Sequence, residues 1–187
     1  MPTPFEQEAS PHSTVGKVLV VDDEVAARKM LTALLSQAGV LCSAASSAHE
    51  ALAMLEKSNF QVVISDLRMG ATSGLELLRE VRAHFPSLAF LMATGVDDVR
   101  VGVQAMKLGA DDYLLKPFDI DVVLVSLERA LERKQLEREV QNYRHHLEEM
   151  VSQRTQQLHD LREGLGSSVS FGTHLPVPSP GEGRRLK

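Results

Sequence analysis

The chain has 187 residues, 43% of them hydrophobic, which is enough to bury one full core with extensions but tight for two complete domains. A formal net charge of −5, with both signs interspersed, gives no general electrostatic reason to bind nucleic acid or an anionic membrane. The single cysteine, Cys42, excludes an internal disulfide framework and a thiolate metal cluster, and no stretch approaches the roughly twenty apolar residues of a membrane span. Pro2, Pro4, Glu6 and Glu8 stand where a signal peptide needs positive charge followed by an apolar run. These features predict a soluble, non-secreted, cytoplasmic protein with no nucleic-acid or membrane partner.

Residues 1–15 are rich in Pro, Ser, Thr and Glu without an apolar period and read as a disordered leader. Val18-Leu19-Val20-Val21 is an apolar strand that ends on Asp22-Asp23-Glu24. The segment from Val25 to Ala38 carries Met30, Leu31, Leu34 and Leu35 at helical spacing and closes on Gly39, a suitable C-cap. Val40 to Ala45 is a short strand, and Ser46 or Ser47 can cap the next helix, Ala48 to Lys57. Val62-Val63-Ile64 has nothing polar on either face, the pattern of a central strand covered on both sides, and it delivers Ser65 and Asp66 to a loop.

Gly70 to Gly74 forms a loop, followed by a helix with Leu75, Leu77, Leu78 and Val81 that Pro86 stops. Leu88 to Ala93 is a fourth strand ending on Thr94-Gly95. Asp97 or Asp98 can start a helix that Gly109 ends, and Tyr113-Leu114-Leu115 is the last strand, ending on Lys116-Pro117. Five strands alternating with helices at short spacing predict a doubly wound parallel α/β sheet, flavodoxin-like with strand order 2-1-3-4-5, joined by right-handed crossovers.

All but the second of these strands end in a polar residue: Asp22 and Asp23, Asp66, Thr94, and Lys116. A lone Asp after a strand is usually a turn former; several distinct groups at the carboxyl edge, where such sheets bind ligands, are harder to read as unrelated turns. Clustered carboxylates repel unless a divalent cation or an ammonium sits among them. Oxygen-only ligands suit Mg²⁺, Lys116 supplies an ammonium and Thr94 a hydroxyl. Together they make a site that can accept a phosphoryl group on a carboxylate.

From about Gly16 to Arg133 the chain resembles the receiver domain of bacterial response regulators. The resemblance rests on Val20-Val21-Asp22-Asp23-Glu24, Ser65-Asp66-Leu67-Arg68-Met69, Ser73-Gly74, Ala93-Thr94-Gly95 and Asp112-Tyr113-Leu114-Leu115-Lys116-Pro117-Phe118, in that family's order and spacing. It implies that Asp66 takes a phosphoryl group from a sensor histidine kinase or phosphotransfer protein. Asp22, Asp23 and Asp66, with the main-chain carbonyl of Arg68, would hold Mg²⁺. Thr94 would hydrogen-bond the phosphoryl oxygens, Lys116 would pair with them, and Tyr113 would move inward as the switch. It also implies a signalling domain whose only chemistry is its own phosphoryl transfer and dephosphorylation, not an enzyme acting on other substrates. Gly70 stands where many members have proline, which predicts a looser loop; a folded but unphosphorylated receiver is the alternative.

After Asp119, apolar residues recur at three- and four-residue intervals without Pro or Gly as far as Leu161, between charged residues such as Glu132, Arg133, Lys134 and Glu137. The narrow seam predicts a coiled-coil helix over 134–163 that can pair two copies through 124–161, with a register shift near Met150-Val151. A solvated single helix is the alternative. Gly164 and Gly166 are expected to stop the helix before a disordered tail, 164–187. His159-Asp160-Leu161-Arg162 is faintly similar to a kinase phosphoacceptor box but lacks the usual following proline. The leading expectation is a phosphorylation switch. The alternative is a dimerising adaptor, or a remnant of a larger receiver-linked protein with a cyclic-di-nucleotide enzyme or histidine kinase as output.

Overall fold

The computed structural model describes residues 16–70, 72–95 and 99–167, so the leader at 1–15, the helix start at Asp97 or Asp98 and the tail after 167 lie outside the described residues. Strands β1 (Val18–Val21), β2 (Cys42–Ala45), β3 (Val62–Asp66), β4 (Ala89–Thr94) and β5 (Asp112–Leu115) alternate with helices α1 (Val25–Gln37), α2 (Ala48–Lys57), α3 (Gly74–His84), α4 (Val99–Lys107) and α5 (Ile120–Ser167). The strands form one sheet in the order β2-β1-β3-β4-β5, and every neighbouring pair is parallel.

Alternation along each strand divides the core into two layers. Leu19, Val21, Val63, Phe90 and Met92 pack under α2 and α3, with Ala105 of α4. Val18, Val20, Val62, Ile64 and Leu91 face the other way, against Leu31 and Leu35 of α1 and Val123 and Leu127 of α5. Val62, Val63, Ile64 and Ser65 are at most 1% exposed, as a central strand covered on both faces requires.

Local chemistry sets the boundaries. Gly39 takes φ +81°, its N–H donating to Ser36 O while that of Val40 reaches back to Leu35 O. Those two residues therefore finish the turn after α1, and β2 starts at Cys42 rather than at Val40. Ser47 caps α2 by accepting from Glu50 N, and Ser73 and Glu76 close a reciprocal capping box at the start of α3.

At the amino edge of the sheet lies an ion-pair network without an obvious sequence signature. Arg82 of α3 donates to the carbonyls of Leu88 and Gly109 and to Asp111 Oδ2, each at 2.7 Å. The same carboxylate oxygen accepts Phe90 N–H at 2.8 Å, while Oδ1 stands 3.4 Å from Lys134 Nζ. Lys134, expected on the exposed polar face of α5, is instead 7% exposed, because Asp111 and Glu137 draw its ammonium onto the edge of the sheet.

One compact unit reaches Val140 and a second begins at Gln141. From Gln135 to Arg162 every side chain is exposed. The helix also runs through Gly164 and Gly166 to Ser167 rather than stopping at them. Glycine in a helix costs about 1 kcal/mol relative to alanine, which weakens a helix without ending it as proline does. Among the described residues, no helix is long and apolar enough to cross a membrane.

Candidate functional site

Strand register delivers the polar residues to one edge. Val21 pairs with Ser65, and Asp66 with Ala93, so Asp22, Asp66 and Thr94 leave three adjacent strands at nearly the same level. Thr94 pairs with Leu115, and the next residue, Lys116, donates its backbone N–H to Thr94 O at 2.8 Å. The Lys116–Pro117 peptide is cis.

The Lys116 ammonium lies 2.8 Å from Asp22 Oδ2 and 2.8 Å from Asp66 Oδ1, bridging two strands that are not neighbours of its own. The second oxygen of each carboxylate is also engaged: Asp22 Oδ1 accepts Glu24 N–H at 2.8 Å and Asp66 Oδ2 accepts Arg68 N–H at 3.1 Å. Asp22 is buried, Asp66 partly so and Asp23 exposed, and carboxylate oxygens of all three lie within 4.8 Å of one another. Burial acts to lower the Lys116 pKa, but hydrogen bonds and charge from Asp22 and Asp66 outweigh it and hold the ammonium above the ordinary lysine value. An all-oxygen donor set open to solvent on the Asp23 side fits a small hard divalent cation that keeps part of its water shell.

The remaining expected residues are placed as follows. Thr94 reaches the edge fully buried, with its hydroxyl donating to Gly95 O at 3.3 Å rather than into the carboxylate cluster. Tyr113 is 41% exposed on β5, beside Gly102 of α4, where a Cβ would come within 3.8 Å of the ring. Arg68 is exposed, its N–H turned to Asp66. Gly70 has φ +40°, a backbone angle closed to proline, so the departure at this position reflects a different loop path rather than mere looseness.

Two further residues support the cluster. Arg28 Nη1 donates to the carbonyl of Asp22 at 2.5 Å, tying α1 to the acidic loop. Gly74 lies so close under the Asp66 carbonyl that a Cβ would overlap its oxygen, and Gly74 N–H bonds Leu67 O at 2.9 Å. The Ser73-to-Glu76 capping pattern marks the start of α3 in the sequence, but nothing local announces the contact with Asp66.

Comparison with known proteins places this geometry. Residues 18–128 match the family described as the response regulator receiver domain. The transcriptional regulatory protein ZraR of Salmonella typhimurium is 40% identical over 114 residues, covering 61% of this chain and 26% of that protein. The DNA-binding transcriptional regulator NtrC of Proteus hauseri is 39% identical over 116 residues, 62% of this chain and 24% of that protein. The chain thus spans about a quarter of the length of the curated relatives it matches. Among solved structures, the receiver domain of NtrX from Brucella abortus superposes with TM-score 0.60 at 35% identity, covering 62% of this chain and 98% of that one. A receiver domain protein from Clostridium thermocellum gives TM-score 0.62 at 34% identity, covering 65% and 98%. With the sheet order, the carboxylate edge and the family match in agreement, the chain belongs to the response regulator receiver domain family.

Proposed function

We propose that this protein is a two-component phosphorylation switch in which Asp66 is the phosphoacceptor. The observation that carries the reading is the Lys116 ammonium held 2.8 Å from both Asp22 and Asp66, with Asp23 beside them. An oxygen of Asp66 forms the new bond to phosphorus as the P–N bond of a donor phosphohistidine breaks, and the imidazole leaves with the bonding pair and takes up a proton. Asp22, Asp23, Asp66 and the Arg68 carbonyl would hold Mg²⁺, which offsets negative charge on the transferred group. Lys116 is positioned to exchange its contact with Asp66 for one to a phosphoryl oxygen. Thr94 would turn its hydroxyl from Gly95 toward the same group, and Tyr113 would follow inward from its exposed place beside α4.

The donor is a sensor histidine kinase or phosphotransfer protein, and the setting is the bacterial cytoplasm. Residues 16–133 act as the receiver, and the helix that continues beyond them to Ser167 pairs two copies through 124–161. The exposed seam after Gln135 also favours a second reading, a dimerising adaptor with the receiver as a fixed scaffold. Incubation with acetyl phosphate and Mg²⁺ separates them. The switch reading expects acid-stable, hydroxylamine-labile labelling that Asp66→Asn abolishes; labelling that survives the substitution sinks the assignment. Self-association or partner binding that beryllofluoride leaves unchanged favours the scaffold.

A further inference from the structure

Three carboxylates converge at the carboxyl edge of the sheet, and they are not held equally. Asp22 is bonded by the Lys116 ammonium and by Glu24 N–H, and Asp66 by the same ammonium and by Arg68 N–H. The Asp23 carboxylate is exposed and, among the described residues, accepts no hydrogen bond and enters no ion pair. With no partner of its own, it takes its direction from the backbone that carries it. That backbone is bracketed by two bonds. On the far side of Asp23, Glu24 N–H donates to Asp22 Oδ1 at 2.8 Å. On the near side, the Asp22 carbonyl accepts Arg28 Nη1 at 2.5 Å. A peptide unit is planar from one Cα to the next, so an anchored Asp22 oxygen also sets where the Asp23 Cα lies.

Arg28 reaches this carbonyl because a helical side chain leans toward the amino end of its own helix. Its backbone is fixed in the first turns of α1, where Arg28 N–H donates to Glu24 O at 3.0 Å and Thr32 Oγ1 donates to Arg28 O at 2.7 Å. The guanidinium stands next to Asp22, yet among the described residues it forms no ion pair with the carboxylates of Asp22, Asp23 or Asp66. Its bond goes to the neutral carbonyl, and a charged donor makes that bond stronger than an uncharged one would. The two effects of this arginine on a bound cation have opposite signs. As a positive charge near the cluster it repels a divalent ion, and as an anchor it presents the Asp23 carboxylate to one.

We propose that Arg28 is a positioning residue for the Mg²⁺ site, acting through the Asp22 carbonyl on the direction of Asp23. This deepens the reading of the carboxylate edge as a Mg²⁺-dependent phosphoacceptor site and rests on it. The opposed signs make the role measurable. Loss of charge alone tightens Mg²⁺ binding, whereas loss of the anchor weakens it.

The test titrates the full chain with Mg²⁺ and follows the backbone amide shifts of Asp23 and Arg68 by NMR, a readout of binding that needs no phosphodonor. Arg28→Met should weaken Mg²⁺ binding about tenfold although it removes a positive charge. Arg28→Gln, shorter and uncharged, carries the same expectation and takes its place if circular dichroism shows that the apolar variant does not fold. In an Asp23→Asn background the ligand that Arg28 positions is already weakened, so adding Arg28→Met should cost less than about twofold more. Unchanged or tighter Mg²⁺ binding in a folded Arg28 variant overturns the proposal, and so does an undiminished loss in the Asp23→Asn background. Acetyl phosphate labelling of the wild type, run alongside, separates this inference from the reading beneath it. A wild type that neither shifts with Mg²⁺ nor becomes labelled sinks the phosphoacceptor site and Arg28 with it. A wild type that does both, beside unaffected Arg28 variants, overturns the role of Arg28 alone.

Discussion

Lys116 is bound to carboxylates from two different strands, and its titration gives a pH signature. Its folded-state pKa is raised, so its ion pairs contribute fully below the unfolded lysine value, about 10.4, and the contribution is lost as pH climbs through the higher folded value. Denaturation midpoints of the wild type should therefore fall through the alkaline range beyond pH ~10, and Lys116→Met should flatten that decline. A parallel decline in both proteins would place the alkaline loss elsewhere. Gly74 is the second sensitive residue. A methyl group there meets the Asp66 carbonyl, so Gly74→Ala should cost about 1–3 kcal/mol and slow acyl-phosphate formation, whereas Gly95→Ala, whose Cβ would meet no atom of the described residues within 4 Å, should be nearly neutral to stability. Asp22, Asp66 and Lys116 were legible in the sequence because each closes an apolar run, and strand alternation carries that information locally. Arg28 was not, and Gly74 entered only as part of the Ser73-Gly74 motif without its contact, because their partners, the carbonyls of Asp22 and Asp66, are backbone groups brought to them only by tertiary packing.

Among the elements, the Arg82–Asp111–Lys134 network joins the end of α3, the starts of β4 and β5, and α5. Its members differ in what their loss leaves behind. Asp111→Ala strands a guanidinium and an ammonium that are largely buried, at a cost of about 3 kcal/mol or more, while Lys134→Met leaves the Arg82–Asp111 pair and the Phe90 hydrogen bond intact and should cost under about 1 kcal/mol. Urea titration of both variants measures the difference; equal losses would mean that Lys134 rather than Asp111 organises the edge. Helix periodicity places Lys134 among polar neighbours, so the sequence read it as solvated; only the turn before β5 brings Asp111 to it. The central strands β1, β3 and β4 were legible to within a residue because they are apolar on both faces, whereas β2 starts two residues later than its apolar run, since Gly39 and Val40 finish the turn after α1.

For the molecule as a whole, α5 divides into stretches with different claims on stability. Val123, Leu127 and Ala130 are locked into the core, whereas nothing described within the chain shields the side chains from Gln135 to Arg162. Amide hydrogen exchange should report this as a gradient. Amides of residues 123–131 should open only with global unfolding, while those of 141–162 should exchange through local fraying in dilute protein. Raising the concentration should slow exchange in the second stretch by mass action if copies pair there, and leave the first unchanged. Uniform protection along α5 at every concentration would contradict the division. On the pairing proposed through 124–161, one covalent helix combines a segment whose order is set by its own core with a segment whose order depends on how many copies surround it, so its stiffness in solution becomes a function of protein concentration.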